Sequence, residues 1–368
     1  MRHLVLVLLI VLSGCAKRGE LMIYPEAAEV ELAERRVFVG TTRKLVRDTL
    51  RFDGKRSDTL TLARYDISIP PGHKTGAIEW PKPNRQPDPM TDFLTTDQQI
   101  YPTGGRFRSD LAQALRQTDG TATIFVHGFN NTFSEGLYRI AQLSYDLKLP
   151  GVAMHYSWPS AASPFGYVYD KDSAAFARDG LEQLLRETEA AGAKRIIIVA
   201  HSMGSWLTME TLRQIAIRGN RGLMGHVAGV ILISPDVDVD VFRKQARDVG
   251  DLPQPFIIFG SPKDKALRLS AFLTGQNDRL GSITSVDQVA NLKVTYLDVE
   301  AFSVGTGHFD LGDNPALIQI VSRIVDVEQA LGAEAQRVGL LDGAVMTVRN
   351  ATQIVLSPVQ SIAEELSN

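Results

Sequence analysis

The sequence predicts an α/β protein with a mostly parallel central sheet and helices on both faces. From about Leu111, apolar runs bounded by turn residues alternate with segments whose apolar residues recur at helical spacing. The runs are continuously apolar, which is typical of parallel strands that are buried on both faces. Hydrophobic residues make up 44% of the 368 residues, enough for a sizeable core. Sheets of this kind bind ligands at the carboxyl ends of their strands.

The individual elements follow from local patterns. Segments 35–44 and 63–70 are predicted as N-terminal strands, and the Pro- and Gly-rich segment 71–105 as a long loop. Further strands are predicted at 121–127, 151–158, 194–200, 229–234, 255–260 and 292–299. Helices are predicted at 133–147, 171–190 and 203–218, with others between or after the later strands. Segment 331–368 is predicted as a separate C-terminal helical appendage that packs on the fold. A second membrane contact is the alternative, which the lack of a basic face disfavours.

The N-terminus has the pattern of an export signal. Leu4 to Leu12 is an uninterrupted apolar run, far shorter than the roughly 20 residues of a membrane-spanning helix. It ends in Leu-Ser-Gly-Cys, which resembles the lipobox of bacterial lipoproteins and predicts acylation of Cys15. An ordinary secretory signal with a chance cysteine is the alternative. The resemblance implies a signal peptide at 1–14, a lipidated tether at 15–36 and, because Ala16 follows the cysteine, an outer-membrane location facing the periplasm.

Composition excludes several classes of function. Cys15 is the only cysteine, so a lipidated chain would have no disulfide, cysteine metal site or cysteine nucleophile. The net charge of −3 and pI near 6.2 provide no basic surface for nucleic acid. The sequence does not indicate the oligomeric state.

The segment "AHSMGSW" places Ser202 directly after an apolar strand and before a helix. Small residues two positions away on either side, Ala200 and Gly204, are what the strained turn of a nucleophile elbow requires, and this elbow is typical of α/β-hydrolases. The motif has Ala where glycine is usual, which adds one methyl group. The alternative is a serine that simply caps the following helix.

A serine nucleophile needs a histidine base and a carboxylate to orient it. In this fold the order along the chain is serine, acid, histidine. His308, in a Gly-rich loop after the last strand, suits the base better than His226, which lies near the start of a strand at the other edge of the sheet. Asp264 is favoured as the acid because it follows the strand at 255–260. Asp236, after the preceding strand, remains the alternative.

Two backbone N–H groups are expected to form the oxyanion hole. One is the N–H of Met203, directly after the nucleophile, and the other is that of Phe129 in "HGFN". Two aromatic residues, Trp158 and Tyr167, are candidates for the substrate pocket or for capping the core. The remaining histidines of the region, His127, His155 and His201, are expected to be structural rather than catalytic.

Several segments together resemble a family of exported bacterial α/β-hydrolases of unknown function. They are "VFVGTTRK", "ISIPPGHKTGAIEWP", "IFVHGFNNTFSEGLYRIAQL", "YSWPS", "AHSMGSW", "ISPDVDVDVFR", "SPKDKALRLS" and "GHFD", which cover most of residues 37–325. The resemblance implies an α/β-hydrolase domain over 37–330 with Ser202, Asp264 and His308 as the triad. It implies no substrate.

The sequence therefore predicts a membrane-anchored serine hydrolase that cleaves a carboxylic ester or similar acyl bond, of a small molecule or a lipid, without a cofactor or metal. An amidase or peptidase would use the same residues. The alternative from another class is a non-catalytic envelope protein that keeps the hydrolase fold as a binding module.

Overall fold

The computed structural model of the chain describes residues 19, 21–82, 85–275, 278–289, 291–302, 314–315, 318, 338–341, 344–348 and 353–358. Cys15 and His308 lie outside the described residues, as do the predicted signal peptide and residues 15–18 and 20 of the predicted tether. No helix in the described ranges is long and apolar enough to cross a bilayer.

One continuous sheet organises the chain. Its described strands are β1 (Ala33–Val46), β2 (Arg51–Ile69), β3 (Leu94–Tyr101), β4 (Thr121–Val126), β5 (Val152–Ser157), β6 (Arg195–His201), β7 (Val227–Ile233), β8 (Phe256–Gly260), β9 (Thr295–Asp298), β10 (Val338–Leu341), β11 (Ala344–Val348) and β12 (Gln353–Pro358). Their spatial order is β10-β11-β12-β9-β8-β7-β6-β4-β5-β1-β2-β3. All neighbours from β12 to β1 are parallel, whereas β1-β2-β3 and β10-β11-β12 are antiparallel.

Helices cover both faces of the sheet. They are α1 (Gly104–Arg116), α2 (Phe133–Asp146), α3 (Tyr167–Phe176), α4 (Arg178–Ala190), α5 (Met203–Ile217), α6 (Arg221–His226), α7 (Val239–Val249) and α8 (Lys265–Leu273). Apolar side chains of α1, α4, α5 and α7 form one buried cluster with one face of the sheet, and those of α2 form a second cluster with the other face. This arrangement confirms the α/β fold with a mostly parallel sheet, because strands buried on both faces need two helical layers.

The predicted loop at 71–105 is wrong in part, because it contains β3. This strand pairs antiparallel with β2 at the end of the sheet. Its sequence, "LTTDQQIY", carries polar residues on an edge strand, so the continuous apolar signal that marks the central strands is missing.

The single helix predicted at 171–190 is also wrong: it is two helices, α3 and α4, that meet at Ala177. No glycine or proline marks the break. The hydroxyl of Tyr156 on β5 donates to the Ala177 carbonyl at 2.5 Å, while the same carbonyl still accepts from the Leu181 N–H at 3.1 Å. The break therefore coincides with an additional hydrogen bond from a residue 21 positions away.

In the described residues of 331–368, the predicted C-terminal helical appendage is not observed. The described parts of this segment are β10, β11 and β12, and β12 pairs in parallel with β9. Val, Ile and Thr are frequent in these three strands, which favours strands over helix. The described part of the segment extends the sheet rather than standing apart from it.

Candidate active site

Ser202 lies in a strained turn between β6 and α5. Its backbone has φ 50° and ψ −121°, a left-handed conformation that L-residues rarely adopt and that costs about 1–3 kcal/mol. The strain is held by neighbours: the Ser202 N–H donates to the Ile233 carbonyl at 2.9 Å, and the Asp236 N–H donates to the Ser202 carbonyl at 3.2 Å. Within the described residues, the Ser202 hydroxyl caps no N–H of α5, so the helix-cap alternative does not describe it.

The glycines beside the turn permit its close packing. A Cβ on Gly204 would lie 2.5 Å from the Val126 carbonyl oxygen and nearer still to that of His127. A Cβ on Gly128 would lie 2.9 Å from the Ser202 Cβ. The end of β4 and the serine turn are therefore in direct contact, and no side chain fits between them.

The two predicted oxyanion donors flank this contact. Met203 is the first residue of α5 and is almost fully buried, whereas Phe129 follows Gly128 and is half-buried. Among the described residues, neither backbone N–H donates a hydrogen bond to another protein group. Such N–H groups at the start of a helix and beside a glycine turn are suited to bind a developing negative charge.

Carboxylates follow three neighbouring strands at the same edge of the sheet. Asp236 comes after β7, Asp264 after β8, and Asp298 is the last residue of β9. All three are buried. Asp264 is fully buried, and its Oδ1 accepts from the Leu267 N–H at 3.0 Å at the start of α8. Asp298, which the sequence analysis did not consider, accepts from the Glu300 N–H at 2.9 Å.

Asp236 is bound on both oxygens by a local cluster. Tyr167 donates its hydroxyl to Oδ2 at 3.0 Å, and Ser270 donates its hydroxyl to Oδ1 at 2.6 Å. The guanidinium of Arg279 is 3.3 Å from the same Oδ1. A carboxylate held in this way joins α3, the β7 loop and α8, an arrangement that suits a structural role.

The candidate pocket aromatics have different environments. Tyr167 lines a cavity of about 60 Å³ that also contacts Met203 and Trp206, beside the serine turn. Trp158 is fully buried: its indole N–H donates to the His127 carbonyl at 2.7 Å, and its ring stacks on His127 at 4.7 Å. Trp158 therefore caps the core.

Two histidines near the turn are held neutral by burial. Burial, together with the charge of Arg43 and the neighbouring His155, lowers the pKa of His127 well below 6.5. Its Nε2 lies 3.0 Å from the Trp158 carbonyl. Burial lowers the pKa of His155 to about 3, and its Nδ1 is 3.1 Å from the Phe125 carbonyl. Their buried positions suit a structural role.

Neither His201 nor His226 adds a candidate base to the described part of the site. His201 ends β6, one residue before the nucleophile. His226 ends α6 immediately before β7, so it lies at the edge of the sheet opposite Ser202. No His, Cys, Asp and Glu group that could hold a metal ion occurs among the described residues.

The sequence analysis missed two buried charges beside the site, Arg43 and Asp170. Arg43 lies near the carboxyl end of β1 and reaches the carbonyl of Asn131 in the loop after Phe129. Asp170, in the first turn of α3, accepts from the Asn130 N–H in the same loop. The resemblance included "VFVGTTRK", but no local pattern marks either residue as part of a site.

The fold and the strained serine turn at the carboxyl edge of the sheet define an α/β-hydrolase. A family model described as "Alpha/beta hydrolase of unknown function (DUF900)" matches residues 105–324, which is more than half of the chain. The chain belongs to this family. The match includes neither the predicted signal peptide nor Cys15.

Solved structures of hydrolases are similar to parts of the chain. LAE6, an α/β-hydrolase from the metagenome of Lake Arreo, is 13% identical with a TM-score of 0.39, covering 88% of this chain and 97% of its own. Carboxyl esterase 2 of Tuber melanosporum is 12% identical with a TM-score of 0.36, over 56% and 76%. A monoacylglycerol lipase of Paleococcus ferrophilus is 11% identical with a TM-score of 0.34, over 56% and 93%. The comparison with curated proteins found no match.

Proposed function

We propose that the protein is a serine hydrolase that cleaves a carboxylic ester or similar acyl bond. The observation that carries the proposal is Ser202 itself. It occupies a costly left-handed turn at the carboxyl edge of a parallel sheet, and no described N–H uses its hydroxyl as a helix cap. Strain of this kind is retained where it serves a function, and here it would present the hydroxyl beside two N–H groups.

In the proposed reaction, the Ser202 Oγ attacks the substrate carbonyl carbon while His308 takes the hydroxyl proton. The carbonyl oxygen becomes negative and is bound by the N–H groups of Phe129 and Met203. His308 then gives its proton to the leaving group, and an acyl-serine forms. Water repeats the sequence and releases the acid. His308 is assigned from the sequence alone, since it lies outside the described residues.

Asp264 is proposed as the carboxylate that orients His308. It is fully buried after β8, the strand two places from the nucleophile strand in the sheet. The competing Asp236 already accepts from Tyr167 and Ser270 and lies beside Arg279. An acid that holds a structural cluster together is poorly suited to follow a histidine through proton transfer.

A fluorophosphonate probe tests the nucleophile, and short p-nitrophenyl esters together with the matching anilides test turnover and bond type. We expect labelling and ester hydrolysis by the chain lacking residues 1–15, and loss of both in Ser202→Ala. His308→Gln and Asp264→Asn should lower the rate by orders of magnitude, as triad substitutions do. Asp236→Asn should lower the melting temperature, whereas the rate per folded molecule should fall much less than in Asp264→Asn.

The outcomes separate the alternatives. A rate that collapses in Asp236→Asn but survives in Asp264→Asn would move the acid to the β7 loop. A well-folded wild-type chain that neither labels nor hydrolyses would refute the hydrolase proposal and favour a binding module. Hydrolysis of anilides at rates comparable to esters would make the protein an amidase.

We further propose that Cys15 carries the lipid that anchors the protein to the outer membrane, on the periplasmic side. The proposal rests on the Leu-Ser-Gly-Cys pattern and on Cys15 being the sole cysteine. Metabolic labelling with an alkyne analogue of palmitate should mark the full chain and not Cys15→Ala. Equal labelling of both, or none of either, would refute lipidation at this residue.

A further inference from the structure

We propose that Arg43 and Asp170 are positioning residues that hold the loop formed by residues 129–131, and with it the Phe129 N–H, in the place where an oxyanion forms. The inference rests on the proposed function. It concerns side chains that do not contact the reacting atoms and act through the loop backbone.

Arg43 binds the loop from the side of β1. The residue is 1% exposed, and its guanidinium donates to the Asn131 carbonyl at 2.8 Å and to the Ser160 carbonyl at 3.0 Å. Its Nε donates to the Ser157 hydroxyl at 2.9 Å. Because the guanidinium is a rigid planar fork, these bonds fix the relative positions of the loop and the chain after β5.

Asp170 binds the loop from α3. Its Oδ2 accepts from the Asn130 N–H at 3.1 Å and from the Ser160 hydroxyl at 2.6 Å, and its Oδ1 accepts from the Ala161 N–H at 2.6 Å. The side chain is fully buried. Each carboxylate oxygen of Asp170 therefore binds a backbone N–H group. One of these N–H groups is that of Asn130, the residue directly after Phe129.

Ser160 joins the two charged groups. Its carbonyl accepts from Arg43, its hydroxyl donates to Asp170, and the same hydroxyl accepts from the Asn131 N–H at 3.1 Å. The Asn131 side chain in turn donates to the Phe129 carbonyl at 2.9 Å. The loop is thus held from both sides through a chain of hydrogen bonds that begins and ends on a buried charge.

Burying these two charges is costly, so they are expected to do something that apolar side chains could not. Burial lowers the pKa of Arg43 to about 10, although the charge of Asp170 opposes that change, and burial raises the pKa of Asp170. Apolar side chains of similar volume would fill the space at less cost in desolvation. What they could not do is bind the Asn130 N–H and the Asn131 carbonyl. Between these two bonded groups, Asn130 has a φ of 58°.

A displacement of the loop would directly affect the proposed oxyanion hole. Gly128 is in contact with the Ser202 turn, so the loop starts at the nucleophile and ends at the Arg43 bond. Displacing the loop by about 1 Å would move the Phe129 N–H out of reach of the oxyanion, and misplacement of that size costs on the order of 10²-fold in rate.

The test uses full-length variants on both sides of the loop. Arg43→Lys keeps the charge but cannot reproduce the fork, Asp170→Asn replaces an acceptor oxygen by a donor, and Ser160→Ala is the mildest change, for use if the charged variants do not fold. Arg36→Met is the control, because Arg36 is on the same strand and, although half-exposed itself, pairs with the buried Asp66 at 2.8 Å, at the opposite edge of the sheet.

We expect kcat and the rate of fluorophosphonate labelling to fall about 10- to 100-fold in the loop variants, with KM nearly unchanged, because the oxyanion is bound only as the transition state forms. Amide hydrogen exchange should become faster in the peptide that covers 128–132. Arg36→Met should lower the melting temperature without either effect.

Loop variants with wild-type kcat and labelling rate would overturn the proposal, as would equal rate losses in Arg36→Met, since that pattern is general destabilisation. If the folded wild type shows no hydrolase activity, the proposed function fails. Hydrogen exchange then still decides whether the two charges hold the loop: unchanged exchange in the variants would refute that part by itself.

Discussion

Replacing Gly204 by alanine tests the close contact on which the proposed site depends. The added methyl would lie 2.5 Å from the Val126 carbonyl oxygen and nearer to that of His127, roughly 1 Å inside ordinary van der Waals contact. Both obstacles are backbone atoms at the end of β4, so no side-chain rotation relieves the overlap. Either α5 or the end of β4 must move.

The magnitude follows from two opposing effects. Overpacking of this kind costs typically 1–3 kcal/mol, whereas replacing glycine stabilises by about 0.4–1 kcal/mol through the unfolded chain. We expect a net loss of about 1–2 kcal/mol in the free energy of unfolding, or about 2–8 °C in melting temperature for a domain of this size. The rate of fluorophosphonate labelling should fall on the order of 10²-fold, because the shift separates the nucleophile from the Phe129 N–H.

Gly225→Ala is the control. Gly225 lies in α6, and in the described structure a Cβ there would meet nothing within 4 Å. Alanine in a helix is favoured over glycine by roughly 0.5–1 kcal/mol, so this variant should melt at or above the wild-type temperature and label normally. Thermal unfolding by circular dichroism and labelling time courses give both values. A Gly204→Ala protein as stable and as reactive as the wild type would refute the packing argument.

Three further predictions concern other parts of the fold. His73 lies between the carboxylates of Glu79 and Asp146. Burial lowers the pKa of His73, but the hydrogen bonds to these carboxylates outweigh burial and raise the pKa above 6.5. The stabilisation that protonated His73 provides is therefore complete below pH 6.5 and is lost as the pH rises through the raised pKa. The difference in melting temperature between wild type and His73→Gln should therefore shrink from pH 6 to pH 9, and a constant difference would contradict this. Tyr167→Phe removes a donor to the buried Asp236 and should cost about 1.5–3 kcal/mol in urea unfolding; a cost near zero would show that the cluster is not structural. Thr132→Ala breaks the capping box with Glu135 at the start of α2 and should cost about 1 kcal/mol, whereas Thr132→Ser should cost little.

Much of the fold could be predicted because its signals are local. The central strands are continuous apolar runs, and each such run from 121 onward is a strand at nearly the predicted bounds. Ser202 could be predicted for the same reason, since its turn restricts the residues two positions away. The strand β3 was missed because a polar edge strand lacks this pattern. The break at Ala177 was missed because no glycine or proline marks it and the additional hydrogen bond there comes from Tyr156 on another element.

The sequence by itself determined the central parallel strands, the helical layers beside them and the serine turn, because hydrophobic periodicity and a strained turn both impose rules on neighbouring residues. Only the tertiary structure revealed the buried contacts of Arg43 and Asp170 and the cluster around Asp236. Arg43 and Ser160 are 117 positions apart, and nothing near either residue indicates the other. Buried charges are defined by partners that folding brings together, and the energy that makes a buried charge tolerable depends on distances that no local pattern contains.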